Sequence, residues 1–143
     1  MSTDMFRIFL LAVALAAIII PIFVQNALAQ SSPSVTSPVL KDQQGNVLSE
    51  GSEGQILVLS TTAANSSDDP LQFVTIIESR DEGGVTQFLG FSIGQLEANA
   101  QSEIGISWTP QNAGNYQLRA FLLSGFPNPQ ILTTVKTSDI VIE

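Results

Sequence analysis

Hydrophobic positions in this chain fall into two regimes. Residues 8–24 (IFLLAVALAAIIIPIFV) are apolar without interruption, whereas from residue 39 onward short runs rich in β-branched and aromatic residues alternate with clusters of Gly, Asn, Asp and Pro. In the second regime no stretch sustains apolar residues at i, i+3, i+4 and i+7, so the pattern predicts strands and turns and an all-β domain. The expected strands are 39–40 with 47–48 as a first broken strand, then 55–63, 72–80, 85–93, 102–108, 116–124 and 133–142.

Turn chemistry agrees with these borders. Gln44-Gly45-Asn46 and Glu82-Gly83-Gly84 supply residues that tolerate the positive φ of hairpin turns, which makes 72–80 and 85–93 an expected antiparallel hairpin. Residues 65–70 (NSSDDP) form a polar breaker, and Pro110 and Gly114 separate Trp108 from Tyr116. Side chains of a strand alternate between faces, so Leu57, Leu59, Thr61 and Ala63 are assigned inward. The same alternation assigns Ile104, Ile106 and Trp108 inward on a second strand, and Tyr116, Leu118, Ala120 and Leu122 on a third.

Seven strands in about 105 residues fit an immunoglobulin-like antiparallel β-sandwich. The order Gly54-Gln-Ile-Leu-Val-Leu leading to Asn65, Phe73-Val-Thr-Ile-Ile, Trp108-Thr-Pro110 and Gly114-x-Tyr116 resembles the immunoglobulin-like modules of secreted prokaryotic proteins. It is especially similar to the cell-adhesion-related CARDB and fibronectin type III-like modules of archaeal surface proteins. The resemblance spans residues 39–143 and implies a core Trp and a corner Tyr at the ends of adjacent strands. It implies adhesion, spacing, or binding of proteins or sugars, and the fold alone does not choose among them. No internal repeat is present, so the expected form is a stand-alone module.

The first regime is a targeting segment. An apolar run followed by Gln25-Asn26 and the small-x-small pair Ala27-x-Ala29 reads as a secretory signal with cleavage after Ala29. Its length also approaches that of a membrane span, so residues 8–24 retained as an anchor are the alternative. The expected organisation is thus 1–29 signal peptide or uncleaved anchor helix, 30–38 a Ser/Pro-rich tether, and 39–143 the sandwich. Either way the bulk of the chain is expected outside the cytoplasm, secreted or held at the membrane.

Composition narrows the chemistry. The 143 residues contain no Cys and no His, which removes disulfides, thiolate nucleophiles, imidazole ligands and imidazole bases. A net charge of -8 with five scattered bases argues against nucleic acid. Neither Lys41 nor Lys136 sits in an S-x-x-K motif, so no enzymatic activity, no cofactor and no metal site is expected.

Three kinds of candidate site remain. Phe73, Phe88, Phe121 and Leu123 lie in strands that are apolar on both faces, and an apolar outer face marks an interface with a protein partner or a second copy. Phe126, in the loop 124–129, joins this set as a binding anchor or, alternatively, plugs the end of the core. Asn65-Ser66-Ser67 matches the N-glycosylation acceptor and makes Asn65 a candidate glycan site. The acids Asp68-Asp69, Glu78 and Asp81-Glu82 offer oxygen ligands for calcium if the loops that carry them meet.

The expected role is therefore an exported, non-catalytic module acting through protein–protein or cell-surface contact. The alternatives are an anchored structural or accessory subunit of a surface complex or filament, and a small-ligand or calcium-binding extracytoplasmic protein.

Overall fold

The computed structural model describes residues 33–143. The segment 1–29, with its expected cleavage at Ala29 and its apolar run 8–24, lies outside the described residues. Ten strands follow: β1 (Ser34–Val35), β2 (Val39–Lys41), β3 (Val47–Leu48), β4 (Glu50–Gly51), β5 (Leu57–Ala64), β6 (Leu71–Asp81), β7 (Thr86–Leu96), β8 (Gln101–Trp108), β9 (Gly114–Leu123) and β10 (Lys136–Ile142). Among the described residues there is no helix.

The strands form two sheets that pack face to face. In the first, β5 pairs with β8 on one side and with β1 and β2 on the other, and β3 extends beyond β2. In the second, the order is β4-β10-β9-β6-β7. The four short segments β1–β4 act together as a broken first strand shared between the sheets: β1 and β2 pair with β5, and β4 runs parallel to β10. All other pairings are antiparallel.

The expected tether is shorter than 30–38. Ser34 and Val35 pair with Ala64 and Ala63, Val35 is buried, and Pro38 is fully buried. A two-residue strand flanked by prolines reads from sequence as linker, yet extended backbone ahead of a proline is also what a sheet edge accepts.

The core lies between the sheets and matches the alternation. Leu57, Leu59, Thr61 and Ala63 are buried on β5, Ile104 and Trp108 on β8, and Tyr116, Leu118, Ala120 and Leu122 on β9. The Trp108 ring meets Tyr116 edge-on at 5.3 Å between centroids, and Phe88 tilts against its other side at 6.3 Å. The Tyr116 hydroxyl donates to the Asn112 carbonyl at 2.7 Å, fastening the corner before β9. Burial pushes the Tyr116 phenol up, reinforced by the charges of Asp81 and Glu53. Among the described residues the core cluster runs from Val35 to Ile142 and draws on both sheets.

β7 has an inverted pattern. Its inward positions after Phe88 are Gly90, Ser92 and Gly94, while Leu89, Phe91 and Ile93 point away from the core and are 59%, 57% and 68% exposed. The inward glycines are required by aromatic rings: a β-carbon on Gly94 would stand 2.9 Å from the Phe73 ring, and one on Gly90 2.7 Å from Ile106 and 2.9 Å from Phe88. Phe73 and Phe88 thus fill, from the neighbouring strand and from β7 itself, the space that β7 side chains leave.

Candidate functional site

The outer face of the second sheet follows from its register, because residues paired across an antiparallel ladder share a face. One row reads Ile93–Val74–Leu123–Ile131, the last through an isolated bridge. The next reads Phe91–Ile76–Phe121. Above Phe91 stands Phe126, 59% exposed, with its ring edge-on at 6.1 Å. Val74 and Ile76 form the buried floor, while Leu89, Phe91, Ile93, Phe126 and Ile131 are each more than half exposed. Five such side chains leave on the order of 500 Å2 of apolar surface open, the size at which patches on soluble proteins mark contact sites.

The third row is polar. Leu89 pairs with Glu78 and Glu78 with Arg119. The Glu78 carboxylate is nearly buried; its Oε1 accepts from Arg80 Nε at 2.7 Å and from the Thr86 hydroxyl, and its Oε2 accepts from Arg119 Nη1 at 3.0 Å. Burial alone raises the Glu78 pKa, but the Thr86 hydroxyl and the Arg80 and Arg119 guanidiniums outweigh it and hold the carboxyl below its usual value. This row bounds the apolar patch on one side. Beyond it lie Thr86, Arg80, Gln117 and Asp139 and then the acidic turn at Asp81-Glu82.

The structure sorts the expected contact residues. Phe121 and Leu123 lie on the outer face, half-buried, and Phe126 lies on that face rather than plugging the core. Phe73 and Phe88 do not: Phe73 is 4% exposed in the core, and Phe88 packs against Trp108. For Phe88 the reason is a register shift between Ser79 and Arg80, where Ser79 pairs with Phe88 and Arg80 with Thr86, so that Gln87 is the extra residue. The residues that sequence reasoning left out of the set are Leu89, Phe91, Ile93 and Ile131. Small residues at 90, 92 and 94 between large ones were the available signal, since a strand that buries its large side chains does not alternate them with glycine.

Asn65 is corrected as a glycan site. Its Nδ2, the atom a glycan would occupy, is buried and donates to the carbonyls of Asp69 at 2.8 Å and Glu97 at 3.0 Å. Its Oδ1 accepts from the Ser67 backbone at 3.1 Å and hydroxyl at 2.7 Å. The N-x-S triplet here is an Asx turn that ties the β5–β6 and β7–β8 connections together.

The acids do not converge either. Asp68-Asp69 precede β6, whereas Asp81 ends it and Glu82 follows, and the 11-residue strand sets the two pairs roughly 35 Å apart. Among the described residues no group of three or more Asp or Glu is placed to hold a metal ion. Asp68 accepts from Asn99 and Asp81 from the Val85 backbone and Gln87, and Glu82 accepts from Asn115, so these acids serve turns.

No protein-family model matches the sequence, and no curated protein matches it. Solved structures do. The C-terminal domain of Wzt superposes with a TM-score of 0.66 over 80% of this chain and 75% of its own length, at 10% identity. The CARDB domain of a Pyrococcus furiosus protein, described in complex with di-metal ions, superposes with a TM-score of 0.53 over 78% of this chain and 94% of its own, at 14% identity. The fold is that of a CARDB-like immunoglobulin-like module. A β-glucosidase from Erythrobacter marinus also matches at 16% identity and a TM-score of 0.57, but the chain spans only 15% of its length. The same fold thus occurs as a domain of larger proteins, and its chemistry in this chain rests on this chain's own surface.

Proposed function

We propose that this CARDB-like module is an exported, non-catalytic contact domain that binds protein through the outer face of β7, β6 and β9. The observation that carries the reading is the inverted β7: large apolar residues point to solvent while glycines point to the core, an arrangement that folding alone does not favour. Phe126 over Phe91 adds an aromatic anchor from a loop, and the Glu78 cluster frames the patch with paired charge. Aromatic anchors inside a polar frame are the usual anatomy of a protein contact. The apolar run 8–24 and Ala27-x-Ala29 support export, and the lack of His and Cys in the whole chain supports a role without catalysis.

The test is the size of the assembly that the protein forms in the cell envelope of its host. At high protein concentration after gentle extraction, wild type is expected to sediment above monomer mass, and Phe126→Asp to return to monomer mass with an unchanged circular dichroism spectrum. A monomeric wild type, or a Phe126→Asp variant that sediments like wild type, overturns the reading. Intact mass of the same sample reads the export claim: a start at or near Gln30 means cleavage, and a full-length mass in the membrane fraction means residues 8–24 anchor the module.

A further inference from the structure

We infer that a second copy of the chain joins this one strand to strand along the free edge of β7, with Phe91 opposite Phe91 of the other copy, so that the two apolar outer faces become continuous. This rests on the reading of the outer face as a contact surface and adds the partner and its register.

Backbone directions come first. The Leu122 N–H donates to the Thr133 hydroxyl oxygen at 3.0 Å and its carbonyl accepts from the Leu132 N–H at 2.8 Å, so both groups point away from β6. Leu122 pairs with Thr75 and Thr75 with Ser92. Antiparallel ladders alternate bonded and non-bonded pairs. Thr75 therefore turns its backbone groups toward Ser92, and the residues on either side of Ser92 turn theirs outward. Leu89, Phe91 and Ile93 thus carry both the exposed apolar side chains and the unpaired N–H and C=O groups of the edge. Among the described residues, no turn or loop backbone bonds to residues 86–95 across that edge.

The edge lacks the usual protection. Natural edge strands are short, or carry Lys, Pro or an inward charge, whereas residues 85–96 contain no charged residue and no proline. Charge leaves this edge open to a second copy. In a molecule of net charge -8, contact between two copies is repulsive over most of the surface, and β7 is an 11-residue strand with no charge at all. Antiparallel pairing about Phe91 sets Leu89 against Ile93 of the other copy and Gln87 against Gln95, so every opposed pair is apolar or neutral. A contact one strand wide is smaller than the ~800 Å2 per copy of a standard stable interface, so the dimer is weak and forms at high protein concentration.

A chain without cysteine permits a direct test of the register in the full-length protein. Opposed residues of a bonded antiparallel pair lie with Cα atoms about 5.5 Å apart, within disulfide reach. Under mild oxidation Phe91→Cys is expected to form a homodimer disulfide. Leu89→Cys alone and Ile93→Cys alone are not, because each lies about 14 Å along the strand from its own copy, but a mixture of the two is. These three positions are solvent-exposed, so the variants keep the fold. A Leu89→Cys disulfide as fast as that of Phe91→Cys overturns the register. A disulfide at Phe126→Cys with none at position 91 overturns the edge pairing while leaving the outer face as the contact. Absence of disulfides at all four positions overturns the second copy as partner, and the reading of the outer face as a protein contact is then decided by the Phe126→Asp sedimentation.

Discussion

Trp108→Ala is the perturbation on which the whole sandwich depends. The ring is 5% exposed, pairs across β5 with Leu57, and is held between Tyr116 and Phe88. Burying an aromatic side chain of about 200 Å2 at roughly 25 cal/mol per Å2 contributes ~5 kcal/mol. Alanine retains a small part of that area, but the cavity and the lost edge-to-face contacts act in the other direction. The expected loss is therefore ~3–5 kcal/mol, near the upper part of the range for aromatic-to-alanine changes in cores. With a urea dependence of about 1–3 kcal/mol per M, the unfolding midpoint falls by roughly 2 M. Trp108 is the single tryptophan, so its removal abolishes the usual fluorescence signal and the assay is urea unfolding followed by far-ultraviolet circular dichroism. A loss below ~1 kcal/mol refutes the reasoning, because no cavity of that size in a close-packed core is so well tolerated.

Thr75→Val is expected to stabilise the protein by about 1 kcal/mol in the same assay, because the Thr75 hydroxyl is fully buried without a hydrogen-bond partner and valine has nearly the same shape; a destabilisation shows that the hydroxyl is satisfied. Asn65→Ala is expected to cost ~2 kcal/mol, since it strips the donor from the Asp69 and Glu97 carbonyls, and retention of wild-type stability would refute the clamp. Glu78 titrates below its ordinary 4.5 in the folded protein, so the unfolded state takes up the proton first. Its contribution is present above about pH 4.5 and is lost as pH falls toward the depressed folded value. Glu78→Gln is expected to be less stable than wild type at pH 7 and to show a smaller further loss on acidification, which thermal melts at pH 7 and pH 3 measure; equal acid sensitivity of the two proteins refutes it.

How much of this was legible depended on how each strand is buried. β5, β8 and β9 bury one face, and their alternation carries that fact openly: Leu57, Leu59 and Ala63 are each fully covered. β6 is buried on both faces from Phe73 to Ser79, so its apolar run holds no information about which residues meet the other sheet and which floor the outer patch. Phe73 and Phe88 were misplaced for that reason and because one extra residue at Gln87 turns Phe88 inward. Asn65 was ambiguous in kind, since a glycan acceptor and an Asx turn share one triplet, and only burial separates them. The parallel contact of β4 with β10 joins residues some ninety positions apart through two backbone partners and leaves no periodic trace.

The inward glycines of β7 have a consequence for how such a module changes over generations. Phe73 and Phe88 hold β7 in place through its glycines, and the backbone ladder to β6 does the rest. In the contact proposed above, the side chains at 89, 91 and 93 answer to the other molecule and, exposed as they are, hardly at all to their own fold. A lineage can rewrite those three letters, altering whom the domain meets, while the text that folds it stays as it was.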